Sequence, residues 1–571
     1  MKANWKILQI SDKRRKRKYE EIDPLIESIL FQRGLKNKAQ MKSFMVPDYE
    51  ADLANPFLLS DMKQAVFRVK TAMKKNEVVC VFGDYDADGV TSAAMLDDFF
   101  NQINLRHFCY IPDRNKEGYG MNKGAIDYIK DKGATLIITV DCGITNVAEV
   151  AYAHGLGIDV IVIDHHHVPE QVPEAVALIN PKKPRDKYPE KNLAGVGVAF
   201  KFVQAVAEGI GYDRQKIKWM LDLVAVGTIA DCVPLLGENR TLAKFGLIVL
   251  SKTRRVGLKQ LFQVSRIAID DHHLATSQQV AFQVAPRINA AGRMDHANTA
   301  YMLLTCDVDD QPQARVLALE LEEKNQRRQK ITKVIVDDVE KRLSAQKSLP
   351  NIIIEADPHW ELGVIGLAAG KIAEKYARPV ILFHIEDQLC KGSGRSIKAL
   401  NLVEALERNA NFFDKFGGHS QAAGMTLQLA KLEEFKNIFI KEGDHFTEQD
   451  LLKEVLIDAK LEFGQINDSL VKAVELFEPY GQENRQPVFL SQGVTINDKR
   501  LIGNDGQHIK LWLKDEADKS GKIFEAIGFG IGDRFEELVT GEKIEVVFYI
   551  ERDSWNGNEK IQLRVIDFMP V

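Results

Sequence analysis

Over 571 residues the chain has only six cysteines (Cys80, Cys109, Cys142, Cys232, Cys306 and Cys390), and no two of them form a CxxC pair. That scarcity argues against a disulfide framework, and several of the six sit in apolar runs where they read as small core residues. No stretch approaches ~18 uninterrupted apolar residues, and the N-terminus MKANWKILQI has no apolar core followed by a small-residue cleavage site. The expectation is therefore a cytoplasmic protein with no membrane association. A strong charge of either sign is also missing. The net charge of −5 neither supports nor excludes a polyanion partner, so any surface for one must be a local patch. The one dense basic run, Lys13, Arg14, Arg15, Lys16, Arg17 and Lys18, reads first as a solvated N-terminal segment.

What is present is an ordinary globular composition, 45% apolar and 27% charged, in a chain long enough for several cores. From about residue 78, short apolar runs (VVCVF, HFCYI, TLIITV, IDVIVI) alternate with helical patterns, which marks a parallel sheet covered on both faces. Ligands of such sheets gather beyond the carboxyl ends of the strands. The stretch 311–345 is compatible with one helix of roughly 50 Å joining two lobes. From NIIIE onward a smaller α/β unit is expected. The final hundred or so residues read as five consecutive antiparallel strands, PVFLSQGVTI, HIKLWLK, KIFEAIGFG, KIEVVFYIERD and KIQLRVIDF, with a hairpin signal at Asn556-Gly557. They suit a small OB-type barrel, although an SH3-like barrel fits nearly as well. The expected domains are thus 1–55 (N-terminal segment), 56–310 (parallel-sheet domain), 311–345 (connecting helix), 346–450 (smaller α/β domain) and 454–571 (OB-like barrel).

The chemistry concentrates at the strand ends. VVCVF ends in GDYDADG, with Asp84, Asp86 and Asp88 on alternate residues; TLIITV ends in Asp141-Cys142-Gly143; IDVIVI ends in Asp164-His165-His166-His167. Gathered carboxylates repel one another unless a cation joins them. A single acid at a strand end is most simply a helix cap, but three strands doing so together point to a site. Asp231 follows a further apolar run, LDLVAVGTIADCVPL. Carboxylates with one or two imidazoles suit Mn²⁺ or Mg²⁺ better than structural Zn²⁺, and this many ligands could serve two ions ~3.5–4 Å apart.

In this order, GDYDADG, VDCG, IDHH and GTIADCVPL resemble the successive motifs of the DHH phosphoesterase superfamily and, within it, the RecJ single-strand-specific exonucleases. IPDRNKEGYG, APRINAAGRM, KGSGRS and FGGHSQAAG resemble further elements of that family, the last two in its small substrate-binding domain. The resemblance implies 5′-to-3′ hydrolysis of single-stranded DNA to 5′-mononucleotides in recombination and repair. It implies two divalent cations held by Asp86, Asp88, Asp141, His165 and Asp231, with Asp84 next and Asp141 as the bridge. His166 is then assigned to the scissile phosphate and Asp164 to orienting its neighbours, while His167 reads as solvent-facing. Substrate and 5′-phosphate contacts are expected from Arg114, Arg287, Asn289 and Arg293, from Ser393, Gly394, Arg395 and Ser396, and from Gly417, Gly418 and His419, with the Gly-rich segments offering backbone amides. Any one arginine could instead form a structural salt bridge.

In the last domain Trp512, Phe529 and Trp555 are candidate stacking platforms, although burial in the barrel core is the favoured fate of each. Asp271-His272-His273 repeats the DHH letters but reads as a surface decoy beside a helix start. The competing functions are a DHH-type phosphodiesterase for short oligonucleotides or cyclic dinucleotides and a non-catalytic scaffold; the latter would usually have lost motif acids, and all are present here. Expected partners are single-stranded DNA and a single-strand-binding protein or repair helicase, with the chain itself monomeric.

Overall fold

The computed structural model describes residues 4–8, 22–114, 116–269, 274–516, 521–553 and 560–571. Asp271-His272-His273, the basic run at 13–18, Trp555 and Asn556-Gly557 lie outside the described residues. The chain forms two compact units, Leu53–Leu452 and a second built from Met1–Asp52 with Lys453–Val571.

The larger unit opens on a five-stranded, wholly parallel sheet: β1 (Val78–Gly83), β2 (His107–Tyr110), β3 (Ala134–Val140), β4 (Asp159–Ile163) and β5 (Ala177–Ile179), in the order β2-β1-β3-β4-β5. The inner strands are buried along nearly their whole length, so their side chains are apolar on both faces rather than alternating. One consequence of the register positions the site. Gly83, Val140, Ile163 and Ile179 are partners across the sheet, so the residues that follow them, Asp84, Asp141, Asp164 and Asn180, emerge in one row. Amide bonds carry the row outward: Asp84 N–H donates to Val140, Asp141 to Ile163 and Asp164 to Ile179. Helix α1 (Ala87–Gln102) begins directly after β1 and is buried over most of its circumference, against α2 (Gly195–Ile210) and α3 (Leu221–Ala230). The apolar run before Asp231 is this α3, a helix apolar on all sides and therefore sunk in the core.

After α4 (Ala285–Met294), the connecting helix α5 runs from Gln311 to Ser344 and leads into a mixed sheet. This sheet has the order β9-β10-β8-β7-β6, from β6 (Ile353–Asp357), β7 (Val380–Glu386), β8 (Leu389–Arg395), β9 (Phe413–Gly418) and β10 (Ala422–Gln428). Helix α6 (Leu362–Tyr376) packs on β7 and β8.

In the second unit, β11 (Phe489–Ile502), β12 (His508–Lys514), β13 (Ile523–Gly528), β14 (Lys543–Asp553) and β15 (Lys560–Pro570) close into a barrel through the β11–β14 pairing. All five expected strands are there, but they are not all antiparallel: β13 and β15 run parallel, because closing this barrel brings together two strands that no hairpin joins. The N-terminal segment is part of this unit. Asn4–Ile7 pairs in parallel with Glu454–Ile457, and the Trp5 indole donates to Asp567 at 2.7 Å. Two aromatics depart from the expected core burial. Trp512 faces outward on β12 with the Lys510 ammonium 5.1 Å above its ring, and Phe529 is 56% exposed. All six cysteines are free thiols, and among the described residues no helix is long and apolar enough to cross a membrane.

Candidate active site

The row of strand ends makes a carboxylate pocket with two imidazoles. Asp84 and Asp141 are nearly fully buried, and Asp141 takes a left-handed backbone (φ 61°) that turns its carboxylate inward. Asp86 caps α1, accepting from the amides of Asp88 and Gly89. Asp88, in the first turn, accepts from the amides of Gly195 and Val196, both at 2.7 Å, so the N-terminus of α2 holds it in place. Gly195 is required there, since a Cβ would stand 2.7 Å from Asp141 Oδ1. Three overlapping groups have their ligand atoms within 4.8 Å of one another: Asp84, Asp86 and Asp141; Asp88, His165 and Asp231; and Asp141, His165 and His166.

The donor atoms fit divalent cations. His165 Nδ1 lies 3.0 Å from the Leu193 carbonyl, which only accepts, so Nδ1 carries the proton and Nε2 presents a lone pair. That lone pair faces Asp141 Oδ1 at 3.2 Å and Asp231 Oδ2 at 3.6 Å, an arrangement of acceptors against acceptors. Asp84 Oδ1, Asp141 Oδ1, His165 Nε2 and Asp231 Oδ2 are buried with no hydrogen-bond partner. Burial, then the neighbouring carboxylates, raises Asp84 and Asp141 well above the usual range and pushes Asp88 up to about 7 and Asp231 to about 9. Burial and the adjacent His166 bring His165 down to about 3, which leaves it a neutral ligand.

Asp164 has no free acceptor. Its Oδ1 takes the amides of His165 and His166 and the His166 ring Nδ1 at 2.7 Å, and its Oδ2 takes the Ile144 amide. It therefore orients rather than ligates. Although burial opposes the charge on His166, Asp164 raises its pKa and fixes its Nδ1. His167 is exposed.

Around this acidic pocket stand arginines. Arg114 lies over the Tyr85 ring at 5.1 Å. Arg293 forms no ion pair or hydrogen bond among the described residues, and burial, then Arg114 and Arg328, lowers it to about 10. On β8 the Arg395 guanidinium donates to the Gly394 carbonyl and the Ser393 hydroxyl, and no carboxylate among the described residues pairs with it. Arg287 takes the structural alternative, bonding to Glu322 at 2.5 Å, and Asn289 accepts from the Ala87 amide and so buttresses the acidic loop. The expected amide cradle of KGSGRS does not form, because β8 is paired on both edges and its amides are in the ladder. Its glycines instead permit packing: a Cβ at Gly392 would meet the Phe383 ring and one at Gly394 would meet Leu402. Ser396 donates its amide to Gln421, and Gly417 and Gly418, at the end of β9, are exposed together with His419. Three groups were not singled out from the sequence: Tyr119, whose hydroxyl is 3.2 Å from His166 Nδ1; Asn180, whose amide holds the His166 carbonyl; and Arg328. For Asn180 there was a signal, since it is the polar residue that follows a further apolar run, AVALI (175–179).

A parallel sheet ending in such a pocket, followed by a small mixed domain, defines a DHH-type phosphoesterase. Matching family models are the DHH family N-terminal domain (78–228), the DHHA1 domain (349–442) and the RecJ OB domain (457–567). The single-stranded-DNA-specific exonuclease RecJ of Bacillus subtilis (strain 168) is 36% identical over 99% of this chain and 71% of its own, and that of Salmonella typhimurium is 33% identical over 96% of both. The crystal structure of Thermus thermophilus RecJ in complex with Mn²⁺ superposes with a TM-score of 0.83 at 29% identity, covering 99% of this chain and 79% of that one; a Mg²⁺ complex gives 0.78 at 28% identity, covering 99% and 78%. The chain belongs to the RecJ family.

Proposed function

We propose that this protein is a single-stranded-DNA-specific exonuclease that degrades its substrate from the 5′ end to mononucleotides, in DNA repair and recombination. The observation that carries the reading is the set of buried, partnerless acceptors on Asp84, Asp141, His165 and Asp231 in a chain of this family. Asp84, Asp86, Asp88, Asp141, His165 and Asp231 would hold two divalent cations, Mn²⁺ or Mg²⁺, and Asp141 belongs to two of the three ligand groups. Bound there, such ions supply Lewis-acid stabilisation of the phosphate and lower the pKa of water. His166, protonated at Nε2 and held by Asp164, donates to a phosphate oxygen or to the leaving oxygen. Arg114, Arg293 and Arg395, with Ser393, receive the terminal 5′-phosphate, and the outward Trp512 and Phe529 stack on bases of a longer strand. The expected working state is a monomer that meets a single-strand-binding protein or helicase on the same DNA. End-labelled single strands with 5′-phosphate, 5′-hydroxyl or blocked 5′ ends, assayed with and without Mn²⁺, test the reading. Degradation of the blocked strand from its 3′ end would refute the polarity.

A further inference from the structure

Arg328 belongs to none of the motif segments, yet its surroundings are those of a binding residue. It lies on α5, the helix between the two lobes of the larger unit. Its Nη2 donates to the buried Asn325 side chain at 2.8 Å, and its Nε is buried with no acceptor. No carboxylate pairs with it among the described residues. Helix α5 packs along α4, which carries Arg293. The Arg293 carbonyl in turn abuts α6: a Cβ at Gly363 would come within 2.5 Å of it. One turn further, a Cβ at Gly366 would stand 3.0 Å from Arg395 Nη2. Elements from both sides of the connecting helix thus meet beside Arg293 and Arg395, neither of which is paired with a carboxylate among the described residues; Arg328 also lowers Arg293, an effect that Asp86 offsets in part. All three arginines are half-buried, and a charge withdrawn from water is ordinarily paired. Arg287, on the same helix as Arg293, is paired with Glu322.

We propose that Arg328 is a positioning residue of the terminal-phosphate pocket, and that this pocket is an anion-dependent latch between the DHH lobe and the small domain. The inference rests on the 5′-phosphate reading given above and extends it. Like charges on α4, α5 and β8 oppose close approach of their elements, and a phosphate dianion reverses that balance, so a correct substrate end completes its own site. Arg328 acts through Arg293, by adding to the repulsion that a bound phosphate relieves.

The test uses the full chain, with inorganic phosphate as the probe against chloride at equal ionic strength. A ligand bound to the folded state raises its melting temperature in proportion to ln(1 + [L]/Kd). For Arg328→Gln the melting temperature without phosphate should be unchanged or higher, and the phosphate-induced rise should fall by at least about half. Its KM for a 5′-phosphorylated dT 30-mer should rise about tenfold with kcat within about threefold, the pattern of lost binding. The 5′-hydroxyl strand should be unaffected, and Arg328→Lys should recover most of the phosphate-induced rise. A glutamine variant that melts lower without phosphate, or keeps the full phosphate-induced rise, marks a merely structural arginine and overturns the latch. Wild-type enzyme that treats the two strands alike overturns the terminal-phosphate reading itself; discrimination that survives Arg328→Gln overturns the latch alone. Hydrogen exchange on the wild type needs no variant: phosphate should protect the segments around 322–330 and 362–370, and no added protection there also overturns the proposal.

Discussion

The larger unit contains two clusters of like charge, and they are opposite in sign. In one, Asp84, Asp141 and Asp231 carry buried oxygens with no hydrogen-bond partner among the described residues, beside Asp88, whose two oxygens take the amides of Gly195 and Val196; in the other, Arg293, Arg328 and Arg395 have no carboxylate paired with them among the described residues. Folding free energy opposes both arrangements, and on the function proposed above each suits a ligand of opposite charge, cations for the first and a phosphate for the second. They differ in how they are built. The acidic cluster is built on adjacent strand ends in one sheet register, joined by Asp88 of α1 and Asp231 after α3, whereas the basic one is assembled from three elements, α4, α5 and β8. The first should therefore be rigid and metal-dependent, the second adaptable and substrate-dependent.

The sharpest way to break this comparison is at the acids. Asp141→Ala or Asp231→Ala should abolish cleavage in Mn²⁺ while circular dichroism stays native; if both variants retain activity within about tenfold, a loss under ~1.4 kcal/mol, the metal site is misplaced. At the arginines the effect should be smaller and conditional. Arg395→Ala or Arg293→Ala should cost about 1.5–3 kcal/mol on a 5′-phosphorylated strand and little on a 5′-hydroxyl strand, in competition kinetics. Equal losses on both would assign these arginines to general backbone binding.

Stability against pH separates the clusters further. Asp88 and Asp231 have folded values of about 7 and 9, above the ordinary carboxylate range. Between roughly pH 4 and those values the folded state therefore binds more protons than the unfolded one, and stability without metal must fall as pH rises. Melting in EDTA should thus drop from pH 5 to pH 8, and Mn²⁺ should restore it; a melting temperature that rises with pH in EDTA contradicts the burial argument. Outside both clusters, Trp512→Ala with Phe529→Ala should weaken binding of a 30-mer by up to about 1–3 kcal/mol per stacked base and leave dinucleotide turnover unchanged. The smallest effect belongs to the decoy: replacing His272 and His273 by Ala should leave turnover within about twofold, while the same change at His165 and His166 should eliminate it.

The sequence by itself determined a good deal of this. Apolar runs of strand length separated by helical periods specify a parallel sheet, because burial on both faces leaves no other pattern, and acids placed immediately after those runs must fall on one edge. The five barrel strands were legible for the same reason of short-range periodicity. The tertiary structure alone decided whatever depends on register or on distant pairing. Only the register of Gly83, Val140, Ile163 and Ile179 makes one row of the acids, and only the pairing of β8 on both edges converts an expected amide cradle into a strand that presents Ser393 and Arg395. The N-terminal strand joins Glu454–Ile457 across most of the chain, a contact no local pattern encodes. Arg287 and Arg328 look alike in sequence as cations on helices; Glu322 neutralises one and no carboxylate among the described residues neutralises the other, because charge pairing is a property of neighbours in space.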